Sequence, residues 1–159
     1  MVGRGIVRIA KSQGITDIVE VTSKNCDLRN PQKTRELLLD TKPDFVIDAA
    51  AKVGGILANS TEPVNFMIDN LQIQTNLFSA SHEANVRKVV FLSSSCVYPK
   101  LATQPIKETS LLTGSLEETN SAYAVAKIAA SRRQRVCHRV RMRRNAQHGF
   151  CRRFNCEEW

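Results

Sequence analysis

Residues 88–95 read K-V-V-F-L-S-S-S. A short apolar run closed by three serines is too brief for a helix and suits a buried strand. A second run, D-F-V-I-D-A-A-A at 44–51, has the same character. Between them, residues 53–85 carry two helical stretches, with Pro63 at a turn or at a helix start. Upstream, Asn30 and Pro31 supply an N-cap and a proline for the first position of the helix P-Q-K-T-R-E-L-L-L-D-T-K. Earlier still, D-I-V-E-V at 17–21 reads as a β-branched strand, and residues 6–13 as the end of a helix stopped by Gly14. Downstream, a polar loop with Pro99, Pro105 and Gly114 leads into a helix holding Tyr123 and Lys127. Helices alternating with apolar strands place the chain in the α/β class, with a parallel sheet covered on both faces. Such a sheet normally begins with a strand. The chain is therefore expected to start one strand late.

Composition divides the chain in two. Residues 1–130 carry 14 Lys and Arg against 13 Asp and Glu, whereas residues 131–159 carry 9 Arg, no Lys and 2 acids. The overall net charge of +8 thus belongs almost entirely to the last 29 residues and does not describe a basic domain. Cysteine divides likewise, with Cys26 and Cys96 in the first part and Cys137, Cys151 and Cys156 in the second. No C-x-x-C is present, and Cys137, His138, His148 and Cys151 lack the paired spacing of a structural zinc site, so no metal is expected. The amino terminus has no long apolar run, which leaves a cytoplasmic chain without a membrane span as the expectation.

The chemistry gathers in the middle. Tyr123 and Lys127, four residues apart on a helix, share one face. A phenol alone, with a pKa near ~10, is a poor proton donor or acceptor at neutral pH, and a neighbouring ammonium lowers that value. The pair suits proton transfer to or from a carbonyl/alcohol couple. Ser93, Ser94 and Ser95 close a central strand at its carboxyl end, where open α/β sheets place ligands. A hydroxyl there can hydrogen-bond the oxygen that Tyr123 protonates. After the second strand, Thr22, Ser23 and Lys24 stand where an NAD-preferring fold holds an acid, and these groups suit the 2′-phosphate of NADPH.

The segments A-A-A-K-V-G-G-I-L-A-N, S-S-C-V-Y-P-K-L-A-T-Q-P-I-K-E and Y-A-V-A-K-I-A resemble the GDP-L-fucose synthases of the extended short-chain dehydrogenase/reductase superfamily, from Met1 to about Ala130. The resemblance implies a Rossmann-type domain over 1–130, incomplete in that the first strand and the carboxyl-terminal substrate domain are missing. It implies an NADPH-dependent epimerase–reductase acting on GDP-4-keto-6-deoxy-D-mannose, with a homodimer as the complete enzyme. By the same resemblance, Ser94 takes the catalytic serine position and Tyr123 donates a proton to the C4 oxygen. Lys127 lowers the Tyr123 pKa and holds the nicotinamide ribose, and Cys96 is the acid/base of epimerisation. Asp27 and Leu28 would flank the adenine, and Ala49, Ala50 and Lys52 the nicotinamide half of the cofactor. Of the glycine-rich pyrophosphate loop only Gly3 matches. Another nucleotide-sugar epimerase or dehydratase on the same scaffold is the rival reading.

After Ala130 the motifs stop. Nine arginines and three cysteines in 131–159 are expected of a coding sequence read out of frame. The competing reading, a basic tail that binds nucleic acid, lacks a recognisable module and aromatic interleaving, so no nucleic-acid partner is expected.

Overall fold

The computed structural model describes residues 2–131, so the expectations for the tail lie outside the described residues. Helix α1 (Val2–Ser12) ends as its sequence predicts. Gly14 adopts φ 81°, a left-handed conformation that a β-carbon would strain, and the Ile15 N–H reaches back to the Ala10 carbonyl at 3.0 Å. Helix α2 (Pro31–Thr41) starts on the expected cap, with the Asn30 side chain accepting the Lys33 N–H at 3.0 Å.

Strands β1 (Phe45–Asp48) and β2 (Lys88–Phe91) pair in parallel, Phe45 opposite Lys88 and Asp48 opposite Phe91. Parallel neighbours need a crossover connection. Here it is made by α3 (Ile56–Thr61) and α4 (Pro63–Glu83), each near a proline or glycine that marks its start. Short 3₁₀ turns at Ser95–Val97, Glu108–Ser110 and Glu118–Asn120 lead to α5, the helical residues 121–131. Among the described residues no helix is long and apolar enough to cross a membrane.

Alternation along each strand sends Val46, Asp48, Val89 and Phe91 to one face. That face is covered. Leu38 of α2 and Leu77 and Ala80 of α4 form one buried cluster against Leu28, Val46 and Ala84. Phe78, Phe91 and Ala130 form a second against Val89, the two rings tilted at 57° with centroids 5.9 Å apart. Small residues let α5 come close, and Ala124 and Ala126 are fully buried. Outside the core, Arg35 of α2 and Glu83 of α4 form an ion pair, and Asn76 donates to the Leu28 and Arg29 carbonyls at 3.0 and 2.9 Å.

Three expectations need correction. The opposite face of the sheet is open among the described residues: Phe45, Ile47 and Val90 point outward, and α1 buries none of its side chains. Residues 17–21 run extended but form no strand, because a ladder needs a partner backbone and none lies beside them among the described residues. The two strands are also shorter than their apolar runs, because pairing ends near Asp48 and Leu92.

Two charged side chains sit inside. Asp48 is 2% exposed and Lys127 3%. Burial is the main force raising the Asp48 pKa above its usual 3.8, opposed by the Ala50 N–H and by Lys127. Burial likewise lowers the Lys127 pKa, with Asp48 pulling it back up. An isolated buried ion is costly, and each of these charges reduces the cost of the other.

Two outcomes are expected. Leu77→Ala, which empties the centre of the first cluster, should cost about 2–5 kcal/mol in urea unfolding; a loss under about 1 kcal/mol would show that this cluster is not the core. The second concerns pH. A carboxyl whose folded pKa is raised binds more protons folded than unfolded, so stability falls as pH climbs from the usual aspartate value through the raised one. Asp48→Asn should remove that part of the decline, while lowering overall stability because the buried Lys127 ammonium loses its partner. Parallel loss of stability in parent and variant across that window would assign the decline to other groups.

Candidate active site

The carboxyl end of β2 meets the start of α5. Lys127 Nζ donates to the Leu92 carbonyl at 3.0 Å and lies 4.5 Å from the centre of the Phe91 ring. Leu92 in turn donates its N–H to the Asp48 carbonyl at 3.0 Å. Ser94 caps the turn Ser95–Val97, its hydroxyl accepting the Cys96 N–H at 3.3 Å. The Ser93 hydroxyl instead faces Ser131, 3.3 Å away. Asn120, in the turn before α5, donates its side-chain N–H to Cys96 Sγ at 3.3 Å. Ser94, Cys96, Tyr123 and Lys127 are thus gathered in one place by one strand end and one helix.

The electrostatics differ from the expectation in one respect. The Tyr123 phenol is pushed up, first by burial and then by the neighbouring Cys96 sulfur, while the Ser94 hydroxyl pulls it down. Lys127 does not lower it here. The ammonium is 5.9 Å from the centre of the Tyr123 ring and is turned toward the Leu92 carbonyl. A phenol held protonated acts as an acid, which is the form needed to deliver a proton to an oxygen.

The end of β1 is fixed by two asparagines that pattern reading passed over. Asn70 of α4, fully buried, accepts the Lys52 N–H at 3.0 Å and donates to the Lys52 and Phe66 carbonyls at 3.0 and 2.7 Å. Asn59 donates to the Gly54 and Gly55 carbonyls at 2.9 and 3.0 Å. A β-carbon on Gly54 would stand 2.7 Å from the Phe66 ring, so the V-G-G turn needs its glycine there. Asparagines on apolar helices near a glycine turn are the only sequence signal for this clamp.

Residues expected along the cofactor lie around this loop. Lys52 pairs with Asp69 at 3.2 Å and Glu62 at 3.8 Å, so it is more than a solvated loop lysine. Asp69 also meets Arg29 at 3.5 Å. Arg29 holds both carboxylate oxygens of Asp27 and lowers its pKa to about 2. Asp27 therefore already has its cation. Leu28 packs into the core beneath. Gly3, inside α1, faces the β1 end, where an added β-carbon would stand 3.7 Å from that of Ala49. Ala50 caps the strand by donating to Asp48 at 3.0 Å. Thr22 to Asn25 form an exposed turn, the Asn25 side chain accepting the Thr22 N–H at 2.7 Å.

These groups fit a nicotinamide nucleotide across the strand ends. Lys127 offers N–H donors beyond the one given to Leu92, and hydroxyls stand at Ser94 and Tyr123. A neighbouring open cleft of about 410 Å³ lies between α3 and the turn before α5, lined by Asn59, Pro63, Glu118 and Ser121. It adjoins the serine–tyrosine cluster without containing it.

Comparison with known proteins agrees with this geometry. The profile of the NAD dependent epimerase/dehydratase family matches residues 1–153. The chain is 47% identical over 150 residues to GDP-L-fucose synthase 1 of Arabidopsis thaliana, covering 94% of this chain and 44% of that protein. It is 44% identical over 129 residues to the GDP-L-fucose synthase of Escherichia coli K12, covering 81% and 40%. A solved GDP-L-fucose synthetase from Naegleria fowleri, bound to NADP, matches with a TM-score of 0.81 at 29% identity over 90% of this chain and 43% of that one. The chain spans less than half the length of these relatives. The family profile and the Arabidopsis match both run past Ala130, where the quoted motifs stop. Strand-end serine, tyrosine–lysine helix and parallel βαβ unit agree with a match over nearly the whole sequence: the chain belongs to the NAD dependent epimerase/dehydratase family.

Proposed function

We propose that the complete protein converts GDP-4-keto-6-deoxy-D-mannose to GDP-L-fucose, with NADPH as reductant. The observation that carries this reading is the second proton carrier. A simple ketoreductase needs one acid, here Tyr123, whereas Cys96 lies close enough to shift the Tyr123 pKa. Two proton-transfer groups facing one another suit a reaction that both inverts carbons and reduces a ketone. The relatives named GDP-L-fucose synthase favour the same substrate.

In this reading Cys96 takes a proton from a carbon beside the C4 ketone on one face, and a second donor of the complete protein delivers a proton to the other face. Ser94 and Tyr123 hold the C4 oxygen by hydrogen bonds, which stabilises the enolate that forms when the proton leaves. Tyr123 then delivers its proton to that oxygen. When bound, the reduced nicotinamide supplies the hydride to C4. Lys127 would hold the nicotinamide ribose, with Ala49, Ala50 and Lys52 along the same half, Gly3 at the pyrophosphate, and Asp27 and Leu28 by the adenine. Thr22, Ser23 and Lys24 favour the 2′-phosphate of NADPH.

The proposal assigns the nucleotide-binding half to residues 1–130 and no catalytic group to residues 131–159. It also includes a cytoplasmic location and a homodimer for the complete enzyme.

In a chain completed to the length of its relatives, Tyr123→Phe should lower reduction by about 10²–10⁴-fold while leaving NADPH binding unchanged. Cys96→Ser should stop solvent deuterium from entering the carbons beside the ketone, again with NADPH still bound. Normal deuterium exchange and normal NADPH oxidation in both variants would discard the assignment.

A further inference from the structure

We propose that Asn120 is a positioning residue for Cys96: its side-chain N–H steadies the thiolate and aims it into the cluster formed with Tyr123. The inference deepens the epimerase–reductase reading and rests on it for its purpose, though the bond can be measured without any sugar. Asn120 Nδ2 lies 3.3 Å from Cys96 Sγ, across 24 residues of chain. This is the only hydrogen bond of the Asn120 side chain among the described residues, and its Oδ1 is buried with no partner. An amide buried with half its capacity unmet is costly, and the sulfur contact is the compensation its N–H finds among the described residues.

The backbone holds that amide in place. Asn120 ends the turn Glu118–Asn120, its N–H bonded to the Glu117 carbonyl at 3.2 Å, and α5 begins at the next residue. Asn120 and Tyr123 are three residues apart, so the same turn sets both side chains against Cys96. On the other side, the Ser94 cap fixes Cys96 through its N–H. The thiol is therefore held from both directions.

Charge near the sulfur makes the N–H useful. The titratable group beside it is the Tyr123 phenol; the Lys127 ammonium, one turn further along α5, is bonded to the Leu92 carbonyl. The carboxylates of the preceding turn act on Lys100, which Glu117 pairs at 2.9 Å. The Asn120 N–H is the donor that the structure places in hydrogen-bond contact with Cys96 Sγ, in a half-buried site where a donor stabilises a thiolate.

The test is alkylation of Cys96 by iodoacetamide in the 159-residue chain, followed by peptide mass spectrometry from neutral to alkaline pH, in the parent, Asn120→Leu and Asn120→Asp. Loss of the donor should slow alkylation of Cys96 at neutral pH about tenfold in Asn120→Leu. Asn120→Asp, nearly the same shape but an acceptor, should slow it further. The plateau rate at high pH should stay the same in all three. If only the plateau changed and the midpoint did not, Asn120 would be packing alone and the inference would fall. An unchanged midpoint in the isosteric Asp variant overturns it even if the Leu variant is poorly folded. The outcome is separable from the functional reading, which stands or falls on deuterium exchange in Cys96→Ser.

Discussion

Leu92 carries the structure at the point where sheet meets helix. Its amide donates to the Asp48 carbonyl and its carbonyl accepts from Lys127, each at 3.0 Å. One residue therefore ties the end of β1, the end of β2 and the middle of α5. The parallel register brings Asp48 opposite Phe91, and the Phe91 ring lies under the Lys127 ammonium. Remove that pairing, and the serine turn, the cysteine and the tyrosine lose their common frame.

The electrostatics follow from the same geometry. Burying Asp48 and Lys127 pushes each toward its neutral form, and each opposes the other's shift. Tyr123, shielded from water beside Cys96, is biased toward the protonated form. Burial thus sets the Tyr123 proton affinity more than the tyrosine–lysine attraction that the spacing suggests. Turning Lys127 from the Leu92 carbonyl toward a ligand hydroxyl would exchange one acceptor for another, at little cost in hydrogen bonding.

Much of this was legible because the signals are local. Asn30 before Pro31, Gly14 after α1, and Tyr123 four residues before Lys127 each act within one or two turns of chain. The βαβ unit follows from two apolar runs with helical residues between them. What was not legible depends on distant partners. The segment 17–21 has strand composition but no neighbouring backbone among the described residues, and composition cannot supply one. Likewise, the open face bearing Phe45 and Ile47 reads the same in sequence as a covered one. Nothing in their local sequence marks Asp48, Asn70 or Asn120. Their roles rest on contacts that sequence spacing does not reveal, from Asn70 to Lys52 and from Asn120 to Cys96.

The central claim is that pairing of β1 with β2 through Leu92 holds the site together. Residue-resolved amide hydrogen exchange on the 159-residue chain tests it most directly. The Leu92 and Lys88 amides, bonded to Asp48 and Asp44, should exchange far more slowly than those of Val19 and Val21 in the unpaired extended segment. Leu92 exchanging as fast as Val19 would mean that the strand end is not held, and that the cluster of Ser94, Cys96, Tyr123 and Lys127 has no fixed frame.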